Sequence, residues 1–212
     1  MVEEEKGEIS EGDRKDYEAK QIIHHTKLFT RISVFLGVII LLIIFSYIFV
    51  NSAKNFEYRG LTGDVVKEGE LIFYQTSVPV INDGKLVPYN FYLRNNPEKL
   101  DKIPFEADNF KLYKKVVLKE EGDLRCEGKG VIAVANLAKL YQVLGAEIIK
   151  DQEAECDPAG RYMLLTLKES DKTWIEEVGP GCYNVNVKNC EVLEALERLM
   201  VEAFVQVHEY NN

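Results

Sequence analysis

Apolar residues crowd into one stretch near the start of the chain and alternate with polar ones after it. From Ile32 to Val50 the sequence reads ISVFLGVIILLIIFSYIFV, 19 residues without a charge. At 1.5 Å per residue a helix of that length is about 28 Å long, close to the ~30 Å hydrocarbon core of a bilayer. A lone span in lipid must satisfy its own backbone hydrogen bonds, so a helix is expected. Tyr47 and Arg31 fall near the two interfaces. The 20 residues before the span carry Arg14, Lys15, Lys20, Lys27 and Arg31; the 20 after it carry Lys54, Arg59 and Lys67. That bias predicts a cytoplasmic N-terminus. A cleaved signal peptide is the competing reading, with Asn51-Ser52-Ala53 as its cleavage site. Against it stand the long apolar run and the eight acidic residues that precede it.

The span divides the chain into a cytoplasmic acidic tail (1–31), a transmembrane helix (32–50), a linker (51–63) and one extracytoplasmic domain (64–212). Tyr17, Ile22, Ile23, Leu28 and Phe29 would extend the helix below the membrane. Within the domain, Leu71 to Tyr74 is strand-like. Val78–Ile81 and Lys85–Arg94, joined by Asn82-Asp83-Gly84, read as a hairpin. Pro79 and Pro88 put those strands at an edge or interrupt them. Phe110–Leu118 is a further strand, followed by the polar stretch Lys119–Glu127. Val131 to Leu144 is a helix, with Val131, Val134, Leu137, Ala138, Tyr141 and Leu144 on its apolar face and Gly145 as its stop. Ile148 and Ile149 mark a short strand. Tyr162–Leu167, Thr173–Val178 and Cys182–Val187 predict a three-stranded meander. A last helix runs from Cys190 to Tyr210, capped by Asn189, with one stripe of Val192, Leu196, Leu199, Ala203, Phe204 and Val207. Strand–strand–helix occurs twice. The fold class is therefore α+β, one N-terminal transmembrane helix and a domain with two helices packed on a mixed or antiparallel sheet.

Composition narrows the function. Asp and Glu number 35 against 26 Lys and Arg, a net charge of −9. No basic field is available for phosphates, so a nucleic-acid partner is not expected. Cys126, Cys156, Cys182 and Cys190 all follow the span. An even count on the outer side, with no C-x-x-C, suits disulfides better than a metal site. The favoured pairing is Cys126–Cys156 with Cys182–Cys190, because the helix after Cys126 and its return through Ile148-Ile149 bring the chain back toward Cys156. Cys182–Cys190 is uncomfortable, since a straight strand carries the chain roughly 16 Å from Cys182 to Val187. Cys156–Cys182 with Cys126–Cys190 is the alternative. A low-pKa thiol at Cys126 or Cys190, both near helix starts, is the functional counter-reading.

Catalytic patterns are scarce. His24 and His25 lie on the inner side, and His208 alone falls in the outer domain, which argues against a three-histidine zinc site or an H-E-x-x-H helix. Gly128-Lys129-Gly130-Val131-Ile132-Ala133 matches G-x-G-x-x-A with Asp151 downstream, but the preceding strand ends too early, so a loop entering a helix is expected. Asp151, Glu153, Glu155 and Asp157 alternate in an acidic loop that lacks the glycine and terminal glutamate of an EF-hand. Glu120 and Glu121 read as a solvated acidic face. Tyr89, Phe91 and Tyr92 read as core or edge aromatics. No Asn-x-Ser/Thr sequon occurs.

Phe91-Tyr92-Leu93-Arg94-Asn95-Asn96-Pro97, with Leu100 and Ile103-Pro104, is similar to a segment of uncharacterised archaeal single-pass membrane-anchored proteins. Cys126 before a Gly/Ala-rich helix, Glu155-Cys156, Cys182-Tyr183 and Asn189-Cys190-Glu191 resemble the same group, over most of residues 65–205. The resemblance implies the location and the cysteine framework and transfers no activity. The expected function is a membrane-anchored extracytoplasmic binding or assembly module of unknown ligand, stabilised by disulfides. An extracytoplasmic enzyme using thiol–disulfide or carboxylate chemistry, or a signalling component with a cytoplasmic tail, is the alternative. The bilayer and a protein of the membrane or envelope are the expected partners; no cofactor, metal or catalytic residue is assigned.

Overall fold

A computed structural model describes residues 31–49, 54–82, 84–107 and 110–211. The acidic tail with His24 and His25, Asn51-Ser52-Ala53 and the turn residue Asp83 lie outside the described residues. Helix α1 (Arg31–Phe49) is continuous, and long and apolar enough to cross a membrane. Residues from 53 onward form a separate compact α+β unit.

That unit begins earlier than the sequence suggests. Most of the expected linker is strand: β1 (Asn55–Tyr58) and β2 (Leu61–Glu68) form a hairpin that takes in residues 55–63. Its two-residue turn holds Arg59 at φ 50° and Gly60 at φ 81°, the left-handed geometry that matches strand twist. With β3 (Leu71–Asn82) and β4 (Lys85–Leu93) these strands make an antiparallel sheet in the order β1-β2-β3-β4. Pro79 and Pro88 face each other beyond the end of β2, where β3 and β4 form a two-stranded ribbon. There the missing N–H groups interrupt no inner ladder.

The second sheet has six strands: β5 (Phe105–Glu106), β6 (Lys115–Glu121), β7 (Glu147–Lys150), β8 (Met163–Glu169), β9 (Trp174–Gly179) and β10 (Cys182–Val187). Strand β6 starts five residues later than the expected Phe110 and continues through Glu121, so Lys119–Glu121 is ladder, not loop. The order is β5-β9-β10-β8-β6-β7, which corrects the expected meander: β10 lies between β8 and β9, parallel to the first and antiparallel to the second. Residues 170–173 step over the end of β10, where Ser170 N donates to Val187 O at 2.8 Å. Burial explains the swap. Cys182, Tyr183, Val185, Asn186 and Val187 are buried, whereas β9 carries Glu176 and Glu177 and is only partly covered. The strand buried on both faces takes the centre, its Asn184 and Asn186 side chains donating to Glu176 of β9.

Helix α2 (Lys129–Val143) links the parallel pair β6 and β7, and Gly145, at φ 77°, turns the chain out of it. Helix α3 (Val192–Asn211) touches β2 and β3 of one sheet and β9 and β10 of the other, as well as α2. All six residues of its expected stripe are buried, but so are Leu193, Ala195, Met200, Val201 and Val205 on its other faces. A helix covered this way must also partner its buried charges. Glu197 accepts from Arg94 N at 2.7 Å, Asn95 N at 3.0 Å and Asn95 Nδ2 at 2.8 Å. Burial first, and Glu194 beside it, raise the Glu197 carboxyl above its ordinary range. Arg198 and Glu202 pair with each other. The expected cap is also corrected: Asn189 and Cys190 have φ of 46° and 60°, and the helix starts only at Val192.

Candidate functional site

The structure pairs Cys126 with Cys190 and Cys156 with Cys182. The favoured pairing is therefore corrected to the alternative, and the course of the chain gives the reason. The loop 151–162 does not return to the start of α2 but crosses the face of the six-stranded sheet opposite the main core. There Ala154 and Tyr162 pack on Val117, Leu164 and Cys182, and Cys156 meets Cys182. Strand β10 then carries the chain away to the start of α3, so Cys190 reaches Cys126 instead.

The two bridges differ in setting. Cys182 is buried at the start of β10, in extended backbone, and its bridge fastens a loop over apolar surface. In that loop Asp157 accepts from Ala159 N (3.1 Å), Arg161 N (2.9 Å) and the Arg161 guanidinium (2.8 Å), which hold its carboxyl down to about 2. That carboxylate is engaged within its own turn. The Cys126–Cys190 bridge sits where backbone geometry is unfavourable. Cys126, Glu127, Asn189 and Cys190 all have φ between 46° and 60°, a region costing non-glycine residues about 1–2 kcal/mol each. Cys190 is exposed and Cys126 half-buried.

Beside this second bridge lies a groove of about 460 Å³. Val131, Val134, Ala135 and Ala138 of α2 form one wall, and Leu124, Leu167 and Val192 contribute apolar surface. Helix α2 presents these residues because its core face is rotated from the one its periodicity suggests. Ala133, Leu137, Leu140 and Tyr141 are buried, while Val131 is 62% exposed and Ile132 48%. Gly130 lets the helix start sit tight against the preceding loop: a Cβ there would lie 1.9 Å from Leu124 O. Of the G-x-G-x-x-A glycines, Gly130 thus serves contact within the chain, and Gly128, at φ 92° with open space around it, serves the turn into the helix.

Three charged residues line the groove, and each is paired. Lys150 Nζ donates to Glu120 Oε2 at 2.7 Å. Arg125 donates to Asp123 through Nε at 2.9 Å and Nη2 at 2.8 Å, and the Asp123 carboxyl is held down to about 2 by those bonds. The groups that burial displaces upward, Glu197, Tyr58, Tyr113, Tyr141 and Tyr183, line no part of the groove. Among the described residues no three His, Cys, Asp or Glu gather as ligands for a cation. His208 is exposed near the end of α3, beside the Gly60 turn. Phe91 is buried against Phe204, with ring centroids 5.4 Å apart, and Tyr92 lies on the exposed side of β4 against Phe73.

Together these features define an α+β domain, closed by two disulfides and bearing an open apolar groove, that follows an N-terminal apolar helix. No family model, curated protein or solved structure matches the chain.

Proposed function

We propose that the chain is a membrane-anchored binding or assembly module. Its N-terminus lies in the cytoplasm, its disulfide-closed domain outside, and the α2 groove takes an apolar segment of a partner protein. The groove carries the reading, because it is apolar, open and of a volume suited to a ligand, with paired charges along its lining. Catalysis of the carboxylate kind would call for convergent, displaced titrating groups in that concavity, and those groups sit in the core instead. The outside placement is supported by α1, by the cation bias around it and by two bridges that suit an oxidising compartment. It agrees with the resemblance to archaeal single-pass proteins.

The test is a charge placed in the groove. Ala135→Glu puts a carboxylate on the apolar wall, where docking would bury it unpaired, so partner recovery falls at least ~tenfold. The measurement is quantitative mass spectrometry after detergent extraction and pull-down of the intact chain. Equal recovery of the same proteins by Ala135→Glu and the unaltered chain would remove the groove from the account.

A further inference from the structure

We propose that the Cys126–Cys190 bridge is a thiol–disulfide exchange centre, and that its substrate is a cysteine-bearing polypeptide segment lying in the α2 groove. The proposal rests on the groove reading above and adds a reaction to it. Three observations converge. Exposure differs along the bridge: Cys190 faces solvent while Cys126 packs against the core, so an incoming thiolate has one accessible sulfur. Both ends of the bridge sit in left-handed backbone on non-glycine residues, at Cys126, Glu127, Asn189 and Cys190. Such residues persist only while the surroundings hold them, and exposed or strained disulfides are the ones that exchange. Finally, the groove is built from the chain on either side of the two cysteines: Leu124 and Arg125 precede Cys126, Gly130 and Val131 follow it, and Val192 follows Cys190. A peptide lying along α2 would bring its sulfur to this bridge. The Cys156–Cys182 bridge shares the uneven exposure, Cys156 being exposed and Cys182 buried, but neither cysteine is in left-handed backbone and neither borders the groove.

The reaction balances as follows. A substrate thiolate attacks Cys190 Sγ, the Cys126–Cys190 bond breaks, and Cys126 leaves as a thiolate that takes a proton from solvent. A second substrate thiolate attacks the substrate sulfur of the mixed disulfide and releases the Cys190 thiolate, which is protonated in turn. The substrate dithiol loses two electrons and two protons; the bridge becomes two thiols. A low-molecular-weight disulfide returns the pair to the oxidised state and is itself reduced to two thiols.

The full chain in detergent is equilibrated across reduced-to-oxidised glutathione ratios, quenched with an alkylating reagent and mapped by mass spectrometry. Cys126–Cys190 is expected to open at a reduced-to-oxidised ratio at least tenfold lower than Cys156–Cys182 requires. Equal resistance, or earlier opening of Cys156–Cys182, overturns the exchange centre and leaves the groove reading standing. A second arm follows oxidation of a reduced apolar peptide with two cysteines. The ratio of its rate to the rate of glutathione oxidation is expected to fall at least tenfold in Ala135→Glu. An unchanged ratio, with the labile bridge intact, overturns the peptide as substrate and the groove with it.

Discussion

Arg198→Ala is expected to destabilise the domain by about 3 kcal/mol, read as a lower denaturant midpoint at unchanged slope. The guanidinium is 7% exposed and joins three parts of the fold. It pairs with Glu202 one turn along α3, reaches Asp101 of a 3-10 turn (Pro97–Lys102) at 3.5 Å, donates through Nε to Ile103 O at 3.3 Å and lies 5.5 Å from the centre of the Phe105 ring. Arg59, from the β1–β2 turn, shares the Glu202 carboxylate, and the Tyr58 hydroxyl donates to Asp101. Removing Arg198 takes the donor from Ile103 O and leaves the buried Glu202 carboxylate with Arg59 alone, and such truncations cost far more than a surface pair. Arg59 still faces Glu202, which places the loss at the lower end of the usual 3–5 kcal/mol range. Arg198→Lys recovers less than half, because an ammonium cannot serve Glu202, Asp101 and Ile103 O in fixed directions. A loss below ~1 kcal/mol for Arg198→Ala would mean the network is solvated and does not tie α3 to its neighbours.

Removing the two disulfides one at a time is expected to reverse the order that loop length dictates. The cysteines are 64 and 26 residues apart, so loop entropy alone assigns about 4 kcal/mol to Cys126–Cys190 and about 3.5 kcal/mol to Cys156–Cys182. That difference is smaller than the cost of even one left-handed residue of an ordinary type, and both cysteines of the first bridge, with Glu127 beside them, are such residues. Cutting it lets those residues relax, whereas cutting Cys156–Cys182 frees the loop over Val117 and Leu164 and relieves nothing. The double variant Cys156→Ala/Cys182→Ala should lose about 3–4 kcal/mol, and Cys126→Ala/Cys190→Ala distinctly less, both from denaturant titration. The reverse order would show that cutting the Cys126–Cys190 bridge relieves no backbone strain.

What the sequence shows of this molecule is what repeats locally. The α1 run, the α2 and α3 periods and the Gly84 turn each announce themselves within a dozen residues. The β1–β2 hairpin does not, because its turn is Arg59-Gly60, without the Asn-Gly or Asp-Gly pair that signals a primed turn. Non-local pairing is equally silent. Nothing in Cys182–Val187 states that it will slot between β8 and β9: one of its faces carries Asn184 and Asn186, which read as exposed until Glu176 of β9 is placed beside them. The cysteine pairing follows from that same strand order.

The groove was half legible. Val131, Ile132 and Val134 give α2 more apolar surface than one core-facing stripe needs, and the stripe drawn through Val131 and Val134 absorbed the surplus into the core. In the structure Ala133, Leu137, Leu140 and Tyr141 take the core, Val134 packs at its edge, and Val131 and Ile132 face out. Helix α3 misled in the opposite sense. Glu197, Arg198 and Glu202 lie off the expected stripe, yet each is buried because Arg94, Ile103 and Arg59 meet them there. A residue's partner 100 positions away leaves no mark on its own neighbourhood in the chain.

Side of the membrane governs everything proposed for the domain, and lysine labelling reads it without altering the chain. A membrane-impermeant amine reagent is added to intact cells that express the protein, and modified lysines are mapped by mass spectrometry. Lys67, Lys85 and Lys129, all exposed, should be labelled, while Lys15 and Lys20 before the apolar helix stay unmodified until the cells are opened. Labelling of Lys15 and Lys20 in intact cells, with Lys67, Lys85 and Lys129 protected, would put the domain in the cytoplasm and contradict the account.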